Sequence, residues 1–375
     1  MACSQFPIQL CFRPLQTIKR KVLVIMLDEQ QIRELVSTYG PVVNQGRPIK
    51  QIIADGDLPR LSGCTVLEGK VSDSVFSDTL LSRDLAPIRL MFRNNRISTH
   101  DVNRGAIPFK DQVLAFNHDH MLRLVEDVLG SSQFTVQGLQ PSSTVIPAEN
   151  LNLIMLENVL RLYMAESSTS TSLYQHWVSA KDLGEAFLSY AGHKIDVKEL
   201  HPNGVLPYLM DTPSTKEKID RTIDAKYLIE SGVCSAEQYA QIRNSSIMAF
   251  GVVSNYLHAK GMVLVDTKTE HGVNASGAIV SADELYTMDS SRFWRLDGDG
   301  KLETRDGKPA SFSKEFARGM VKEKDQQFNE DQSNEIAIRY IQGLQHLTGE
   351  QFEPDLRSRD ERIVDSTNLI LDELL

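Results

Sequence analysis

Two segments in the second half of the chain place charged side chains at spacings suited to phosphate and metal chemistry. The first reads MVLVDTKTEHG from Met262 to Gly272, and its apolar beginning predicts a β-strand. Alternation along a strand puts Asp266, Lys268 and Glu270 on one face. Carboxylate oxygens suit Mg²⁺, and a lysine between them suits a phosphate. An exposed, self-paired edge strand is the alternative, but charges at the end of a buried strand need partners.

The second segment, ADELYTMDSSRFW at 282–294, holds three acids followed by two serines and an arginine. Asp283, Glu284 and Asp289 are candidate metal ligands, and a guanidinium such as Arg292 suits a phosphate or a carboxylate. A capped turn at 289–290 would explain part of this pattern without any ligand. Together, the two segments favour a site for a nucleotide and a metal ion.

Two weaker patterns point in the same direction, each with a simpler explanation beside it. Gly69 and Lys70 lie in a strand–turn–strand over 65–76, where the backbone can approach phosphates, but a plain hairpin fits equally well. The spacing is not that of a Walker A motif. Arg161 precedes the hydroxyl run SSTSTS at 167–172, which either presents donors to a phosphate at a helix start or forms a polar loop.

Composition places this chemistry in an ordinary globular protein. The chain has 375 residues, of which 41% are hydrophobic and 24% charged, and its net charge is −10. These values exclude wholesale disorder and a general nucleic-acid coat. The four cysteines form no CxxC pair, which excludes a zinc or disulfide scaffold and indicates a reducing compartment. No apolar run reaches the roughly 18 residues of a membrane span.

Residues 1–25 are basic and contain no acid. A transit or signal segment would share this charge, but Pro7, Arg13 and Pro14 interrupt the apolar stretch. We favour a surface extension, or upstream sequence before a start at Met26, over a targeting segment.

Hydrophobic periodicity predicts the elements that must position these groups. Helices are predicted at 27–39, 112–129, 179–190, 236–259, 313–322 and 334–347. Strands are predicted at 64–67, 71–76, 88–92, 134–139, 151–160, 262–266 and 278–280. Because strands dominate the first part and both types mix later, we expect two lobes with a ligand cleft between them.

In this order, the motifs resemble the phosphoribosylaminoimidazole-succinocarboxamide synthase (SAICAR synthetase) family. The resemblance covers roughly residues 62–352. The matching stretches are GKVSD at 69–73, RIS..D at 96–101, RLYMAESSTSTSLYQHW at 161–177, TPSTK at 212–216, IDR at 219–221, LVDTKTEHG at 264–272, DELYTMDSSRFW at 283–294 and RYIQGLQHLTGEQF at 339–352. The combination of LVDTK.E.G with DE…DSSRFW is highly specific.

The resemblance implies an α+β fold with two lobes, a kinase-like antiparallel-sheet nucleotide lobe and a larger mixed α/β lobe. We expect an N-terminal extension at 1–61, an ATP-binding lobe at 62–160, and a substrate- and metal-binding lobe with C-terminal helices at 161–375. The implied activity is that of an ATP-dependent ligase of purine biosynthesis, which joins L-aspartate to carboxyaminoimidazole ribotide through an acyl phosphate. ATP and Mg²⁺ are the implied cofactors.

The implied partners are small molecules, with neither nucleic acid nor a membrane among them. A cytoplasmic enzyme is expected, and the resemblance leaves a homo-oligomer open. On the ATP side, Lys70 would contact the phosphates, and Asn152 with Leu153 would form the adenine hinge. Glu270 and Asp283 would hold Mg²⁺.

The resemblance also implies the groups on the substrate side of the cleft. Catalytic roles would fall to Lys268, close to the transferring phosphate, and to Lys216 and Asp220. The ribotide and its phosphate would be bound by Asp101, Arg161, Ser167 and Arg292.

Several positions depart from the family pattern, three of them close to the implied ligands. Ser72 stands where a second basic residue is common, Asn95 replaces an acid, and Glu166 replaces a glycine. An anionic side chain at 166 would repel a phosphate unless it points away. These departures leave open a divergent or repurposed ATP-binding relative without this activity. A small-molecule kinase is a further alternative, whereas the lack of HRD and DFG motifs argues against a protein kinase.

Overall fold

The structure is a computed structural model that describes residues 26–69, 71–84, 86–99, 102–169, 172–216, 221–305 and 307–375. The helices in these ranges are α1 (Glu29–Val43), α2 (Ile49–Ala54), α3 (Lys110–Leu129), α4 (Leu173–Asp182), α5 (Ala225–Glu230), α6 (Ala236–His258), α7 (Glu315–Gly319), α8 (Glu330–Thr348) and α9 (Arg359–Leu374). Single 3₁₀ turns cover Pro59–Leu61 and Val197–Glu199. No helix of the described ranges is both long and apolar enough to cross a membrane.

Most of the described strands belong to two antiparallel sheets. The strands are β1 (Thr65–Leu67), β2 (Ser72–Phe76), β3 (Ser82–Arg83), β4 (Ala86–Arg93), β5 (Arg96–Thr99), β6 (Val102–Ala106), β7 (Val145–Glu149), β8 (Asn152–Leu153), β9 (Leu156–Tyr163), β10 (Phe187–Tyr190), β11 (His193–Asp196), β12 (Val205–Asp211), β13 (Ser214–Thr215), β14 (Met262–Val273), β15 (Ile279–Ala282), β16 (Ser291–Arg295), β17 (Thr304–Arg305), β18 (Lys308–Pro309) and β19 (Ser311–Phe312).

The first sheet has the order β1-β2-β4-β3, with β7 also paired to β4. The second has the order β12-β9-β14-β16-β19, with β13 on β9 and with β8 and β15 on β14. The pairs β5-β6, β10-β11 and β17-β18 form short separate hairpins. Antiparallel sheets combined with packed helices confirm the predicted α+β class.

Long helices cover the second sheet because each has an apolar stripe that must be buried. The core between them contains Val113, Leu114 and Met121 of α3, Phe250, Val253 and Leu257 of α6, Ile336, Ile341 and Leu344 of α8, and the strand residues Leu264 and Phe293. Helix α1 packs against α8. Side-chain caps define where these helices begin, with complete capping boxes at Asp28 for α1, Ser235 for α6 and Asn329 for α8.

The first sheet has a core of its own, built from both ends of the chain. Ile49, Ile52 and Leu61 from the segment before the sheet, Ile363, Ile370 and Leu371 from α9, and the strand residues Val75, Leu90 and Phe92 form this core. Helices α2 and α9 were not among the predicted elements. The helices predicted at 27–39, 112–129, 236–259, 313–322 and 334–347 are confirmed as α1, α3, α6, α7 and α8 with shifted ends.

Two predicted elements are wrong. The helix predicted at 179–190 is instead the end of α4 followed by β10, because Gly184 has a φ of +71° and leaves the helix. Leu188 and Tyr190 are then buried on alternate positions, which is a strand period. The strand predicted at 134–139 contains a turn at Gly138, where φ is +84°, and only its first residues approach the neighbouring strand.

A buried ion pair links the cores of the two sheets. Arg362 Nη1 of α9 lies 2.9 Å from Asp111 Oδ2 of α3, and the two side chains are 3% and 0% exposed. The Thr144 hydroxyl donates to the same carboxylate oxygen at 3.1 Å. The second terminal nitrogen of Arg362 donates to the carbonyl of Val43 at 3.1 Å. The C-terminal helix is therefore joined to α1, α3 and the start of β7.

We expect Arg362→Leu to lower the free energy of unfolding by about 3–5 kcal/mol, because Asp111 would stay buried without its counter-charge. Denaturant titration measures this loss. The double variant Asp111→Asn with Arg362→Leu should recover part of it, since no buried charge is then left unpaired. A double variant that loses the full sum of both single losses would contradict the assignment.

Candidate active site

A polar cavity of about 260 Å³ opens where β9, β14 and β16 lie side by side. Its charged lining residues are Glu157, Arg161, Asp266, Lys268, Asp289, Arg292, Lys314, Glu315 and Arg318. Hydroxyl groups line much of the remainder, from Ser167, Thr169, Ser172, Thr212, Ser214, Thr222, Thr267, Ser290, Ser291 and Ser313. Cationic and hydroxyl donors around one small space suit an anionic ligand.

One buried aspartate holds two arginines at this cavity. The sheet register places Asp266 of β14 opposite both Arg161 of β9 and Arg292 of β16. Arg161 Nη1 lies 3.1 Å from Asp266 Oδ2, and Arg292 Nε lies 3.6 Å from Asp266 Oδ1. Arg161 Nε also donates to the Thr212 hydroxyl at 3.0 Å. Because one carboxylate faces two guanidinium groups, this cluster keeps a net positive charge.

Lys268 lies between a carboxylate of its own strand, Glu270, and one of the neighbouring strand, Glu157. Its Nζ is 2.6 Å from Glu157 Oε1 and 3.0 Å from Glu270 Oε1, and Lys216 pairs with the other oxygen of Glu270. Burial disfavours the charged amine, but the carboxylates of Glu270 and Glu157 outweigh it and raise the pKa of Lys268 above its ordinary value. The Lys268 amine is therefore held in its protonated form, in which it can only donate hydrogen bonds.

The hydroxyl run forms the approach to helix α4. Ser172 caps this helix by accepting the N–H of Gln175 at 3.2 Å, which confirms the predicted helix entry. Ser167 Oγ accepts the N–H of Thr169 at 3.2 Å, and all three hydroxyl residues line the cavity. Residues 170–171 lie outside the described ranges.

Glu166 does not face this cavity. Its backbone N–H donates to Asn203 Oδ1 at 3.1 Å, and its carboxylate accepts from Asn203 Nδ2 at 3.0 Å. The side chain is exposed and lines a larger, adjoining groove of about 1270 Å³, which shares Ser167, Arg292, Glu315 and Arg318 with the cavity. Because the Asn203 amide binds its carboxylate, Glu166 is not among the residues that line the smaller cavity itself.

Residues 283–290, here called the acidic loop, connect β15 to β16 with a strained backbone. Asp283 has a φ of +55° and Tyr286 a φ of +50°. The left-handed region costs a non-glycine residue about 1–2 kcal/mol. Two such residues within four positions persist only where neighbouring groups hold the loop in place.

Two acids of this loop have pKa values shifted in opposite directions. Burial favours the neutral form of Asp289, but Lys110 Nζ at 2.9 Å and Lys314 Nζ at 3.7 Å outweigh it and hold the pKa of Asp289 below its ordinary value. Burial and repulsion from the neighbouring aspartates raise the pKa of Glu284 to about 6. The loop therefore carries one permanent buried charge and one that titrates near neutrality.

The predicted adenine hinge is strand β8, which pairs with the far end of β14. Leu153 of β8 pairs with Gly272, and both Asn152 and Leu153 are exposed. A Cβ on Gly272 would lie 2.7 Å from the Leu151 Cβ, so glycine is required for this close approach. Glu270 lies two residues before Gly272 on β14, so the strand that carries the predicted metal ligand pairs directly with the predicted hinge strand β8.

The Gly69 turn is held to β2 by charge. Gly69 N–H donates to Asp73 Oδ1 at 3.2 Å, while Arg96 Nη2 donates to the Gly69 carbonyl at 2.9 Å and to Asp73 Oδ1 at 2.7 Å. A Cβ on Gly69 would lie 2.3 Å from the Ser72 carbonyl oxygen, so a larger residue does not fit. Lys70 itself lies outside the described residues, and so do Asp101 and Asp220.

The two other departures from the family pattern have structural partners. Ser72 faces Arg93 across β2 and β4, and Arg93 Nη1 donates to the Ser72 hydroxyl at 2.9 Å. The same nitrogen lies 3.4 Å from Asp283 Oδ1. The buried guanidinium of Arg93 therefore supplies a cation next to Ser72, the position at which a basic residue is common in the family. Asn95 donates through its amide to Asn44 at the end of α1 and so serves packing.

The donor set beside Lys268 fits Mg²⁺ only in company with a phosphate ligand. Glu270 pairs in register with Ala282, next to Asp283, and the Asp283 side chain is 38% exposed. No group of three or more His, Cys, Asp or Glu within the described ranges is arranged to hold a metal ion. Mg²⁺ at nucleotide sites takes one or two carboxylates together with phosphates and water. Two carboxylates therefore fit a metal–nucleotide complex better than an isolated ion.

The structure brings together most of the described candidates. Arg161, Ser167, Lys268 and Arg292 line the cavity. Lys216, Glu270 and Asp283 adjoin it through their interactions with each other or with Lys268. Asn152 and Leu153 are not among its lining residues. The individual role of each residue remains a prediction.

The sequence patterns did not single out Lys314, Arg318 or Glu157 as residues of this cavity. Lys314 and Arg318 lie four residues apart at the start of a predicted helix, a spacing that could have revealed two cations on one face. Thr212 belongs to the TPSTK motif, but its bond to Arg161 depends on the β9 register. Glu157 has no local signal, because only the pairing of β9 with β14 brings it to Lys268.

We expect Glu284→Gln to become progressively more stable than the wild type as the pH rises from about 4.5 to 7. The folded wild type holds the Glu284 proton up to about pH 6, whereas the unfolded chain releases it near pH 4.5. The folded wild type therefore loses at most about 2 kcal/mol of stability over this pH range. Denaturant titrations of both proteins across this range measure the difference. Parallel stability curves would contradict the assignment.

Comparison with known proteins agrees with this geometry. A relative from Legionella pneumophila (strain Lens), named phosphoribosylaminoimidazole-succinocarboxamide synthase, is 29% identical over 294 residues, which are 76% of this chain and 88% of the relative. A chloroplastic protein of that name from Arabidopsis thaliana is 27% identical over 328 residues, 82% of this chain and 73% of the relative.

Solved structures show the same fold. SAICAR-synthase from Saccharomyces cerevisiae complexed with SAICAR superposes with a TM-score of 0.62 at 20% identity, over 78% of this chain and 98% of the yeast chain. A SAICAR synthetase in complex with ADP gives a TM-score of 0.55 at 20% identity, over 77% of this chain and 100% of the other. The family model described as SAICAR synthetase matches residues 67–335. This chain belongs to the SAICAR synthetase family.

Proposed function

We propose that this protein uses ATP to join L-aspartate to the carboxylate of carboxyaminoimidazole ribotide, forming SAICAR in purine biosynthesis. The observation that carries the proposal is the cavity in which Arg161, Asp266 and Arg292 lie beside the protonated Lys268. Family membership and relatives named for this synthase agree with it. A SAICAR complex and an ADP complex among the solved relatives support the same substrate and nucleotide classes.

The reaction needs activation because a carboxylate is a poor electrophile. Transfer of the γ-phosphoryl group of ATP to the ribotide carboxylate forms an acyl phosphate and releases ADP. The aspartate amine then attacks the acyl carbon, the amide bond forms, and phosphate leaves as the amine loses a proton. Since the substrates bring both nucleophiles, the protein acts mainly by positioning groups and neutralising charge.

Lys268 and Lys216 provide positive charge for the transferring phosphoryl group. In the structure their amines pair with Glu157 and Glu270. We propose that the incoming phosphate shares these ammonium groups, so that charge developing during transfer meets fixed donors. The permanently protonated Lys268 suits this role, because it does not remove a proton from the substrate.

Arg161, Arg292 and Ser167 provide the ribotide site in this proposal. Asp266 orients both guanidinium groups, whose planar forks match a phosphate or a carboxylate. Lys314 and Arg318, which line the same cavity, add two more cations for an anionic substrate.

Glu270 and Asp283 would hold Mg²⁺, which would supply charge neutralisation on the ATP phosphates. Asn152 and Leu153 would form the adenine hinge, and Lys70 would contact the phosphates.

Asp101 would bind the ribotide, and Asp220 would act over the substrate side of the cleft. The proposed units remain an extension at 1–61, an ATP lobe at 62–160 and a substrate lobe at 161–375. Residues 49–61 and α9 also pack on the sheet of the ATP lobe. A cytoplasmic location completes the proposal, which leaves the oligomeric state open.

The function is tested by measuring ADP release with the ribotide alone, with aspartate alone and with both together. The ligase requires both for full turnover and forms SAICAR in a one-to-one ratio with ADP. A kinase would release ADP with an alternative hydroxyl acceptor, and a repurposed relative would release none under any of these conditions. Either of these outcomes would overturn the proposal.

We expect Arg161→Lys and Arg292→Lys to lower kcat/KM for the ribotide about ten- to a hundredfold, with a much smaller change in ATP affinity. A lysine cannot reproduce the two parallel hydrogen bonds, and a lost charge-assisted bond costs about 1.5–3 kcal/mol. Arg123→Lys is a suitable control, since that side chain is 54% exposed and pairs with Asp119 outside the cavity. If the two variants lose thermal stability but keep the wild-type kcat/KM for the ribotide, the arginines only stabilise the fold and the ribotide assignment is wrong.

We expect Glu270→Gln and Asp283→Asn each to abolish the gain in ATP affinity that Mg²⁺ produces, because charged oxygens dominate Mg²⁺ binding. Calorimetric titration of ATP with and without Mg²⁺ measures this without turnover. Glu303→Gln, which alters a surface ion pair with Arg295, serves as the control. An unchanged Mg²⁺ effect in both site variants would refute the metal assignment.

A further inference from the structure

Helix α3 touches the acidic loop with a row of polar side chains that the mechanism above does not use. Lys110, Asn117 and His118 are spaced seven and eight residues apart, so they share one face of the helix. The side chains of all three are buried. Their partners lie between Leu285 and Asp289 of the loop.

Asn117 binds the loop backbone with both ends of its amide. Its Nδ2 donates to the carbonyl of Tyr286 at 3.2 Å, and its Oδ1 accepts the N–H of Met288 at 3.1 Å. One side chain thus spans the left-handed Tyr286 and the residue two positions later. The two bonds satisfy backbone polar groups that, in this irregular and buried loop, have no partner in a helix or a sheet.

His118 adds a third bond, because its Nδ1 accepts the N–H of Leu285 at 2.9 Å. Burial, together with the nearby charge of Arg93, holds the pKa of His118 well below its ordinary value. The ring is therefore neutral and keeps an acceptor at Nδ1. Lys110 completes the set by pairing with Asp289.

The acidic loop leads directly into groups that line the cavity. Asp289 and Ser290 end the loop, and Ser291 and Arg292 follow at the start of β16. The strained residues Asp283 and Tyr286 lie upstream of these groups. A loop freed from α3 would relax toward ordinary backbone angles and would carry the cavity residues with it.

We infer that Asn117 and His118 are positioning residues, which set the affinity for the ribotide by holding the acidic loop in its left-handed shape. The inference rests on the proposed function, since it names the ribotide as the ligand that depends on this loop. Neither side chain touches the ligand in this scheme. Both act through the backbone between Leu285 and Met288.

Helix α3 also supplies a matched control. Gln112 is fully buried and, like Asn117, binds one carbonyl and one N–H with its amide. Its Nε2 donates to the carbonyl of Asp355 at 2.9 Å, and its Oε1 accepts the N–H of the same residue at 2.8 Å. Asn117→Ala and Gln112→Ala therefore remove equivalent bonds from one helix, but only the first releases the acidic loop.

The test measures calorimetric binding of SAICAR and of ADP, ribotide KM and thermal unfolding for wild type and both variants. We expect Asn117→Ala to weaken SAICAR binding and raise the ribotide KM about tenfold or more, which corresponds to loss of two backbone hydrogen bonds. ADP binding measured without Mg²⁺ should change much less, because Asp283 of this loop would act on the nucleotide only through the metal ion. Gln112→Ala should lower thermal stability to a similar extent and leave SAICAR binding within about twofold.

Two variants of His118 keep the inference testable if Asn117→Ala fails to fold. His118→Ala removes the acceptor for the Leu285 N–H, and His118→Asn restores an acceptor oxygen near the same place. We expect the asparagine variant to recover SAICAR affinity relative to the alanine variant. Equal SAICAR affinity in Asn117→Ala and Gln112→Ala, or no difference between the two His118 variants, overturns the inference. A wild type that neither binds SAICAR nor forms it overturns the proposed function, and this inference with it.

Discussion

Every charge at the middle of the second sheet must find an opposite charge, and this requirement organises the site. Strand β14 lies between β9 and β16, and its Asp266 and Glu270 are each only 6% exposed. Burying such groups unpaired would be strongly unfavourable. The flanking strands therefore supply Arg161 and Arg292 opposite Asp266, while Lys268 and Lys216 pair with Glu270. The same pairing that stabilises the sheet gathers the cations that an anionic substrate needs.

A second constraint is the strained acidic loop, in which neighbouring groups hold both the charges and the backbone angles. The pKa values of its carboxyl groups differ, because lysines outweigh the burial of Asp289, whereas Glu284 is buried and also lies near other acids. Its backbone angles persist because α3 satisfies the loop's polar groups through Asn117 and His118. A helix that looks like ordinary core packing thus determines the geometry of the cavity wall.

The three departures from the family pattern that lie near the implied ligands each have a structural partner that is distant in sequence. Glu166 is directed away by Asn203, and Ser72 has Arg93 across the strand pair. Asn95 exchanges a charged side chain for an amide that packs on the end of α1. None of these positions places an unmatched negative charge at the cavity. The geometry thus favours retained ligase chemistry over a repurposed relative.

The α+β class, the long helices and the charged residues on one face of β14 could be predicted from the sequence, because they depend on local periodicity and on motifs that are continuous in the chain. The sequence did not determine the end of α4 or the covering of the first sheet by α9, since both depend on packing partners far away in sequence. The pairing of Lys268 with Glu157 was decided only by the register between β9 and β14. The hydrogen bonds from Asn117 to the acidic loop likewise form only in the folded chain, because they join residues about 170 positions apart. Hydrogen bonds between a side chain and a distant backbone leave no periodic signal in the sequence.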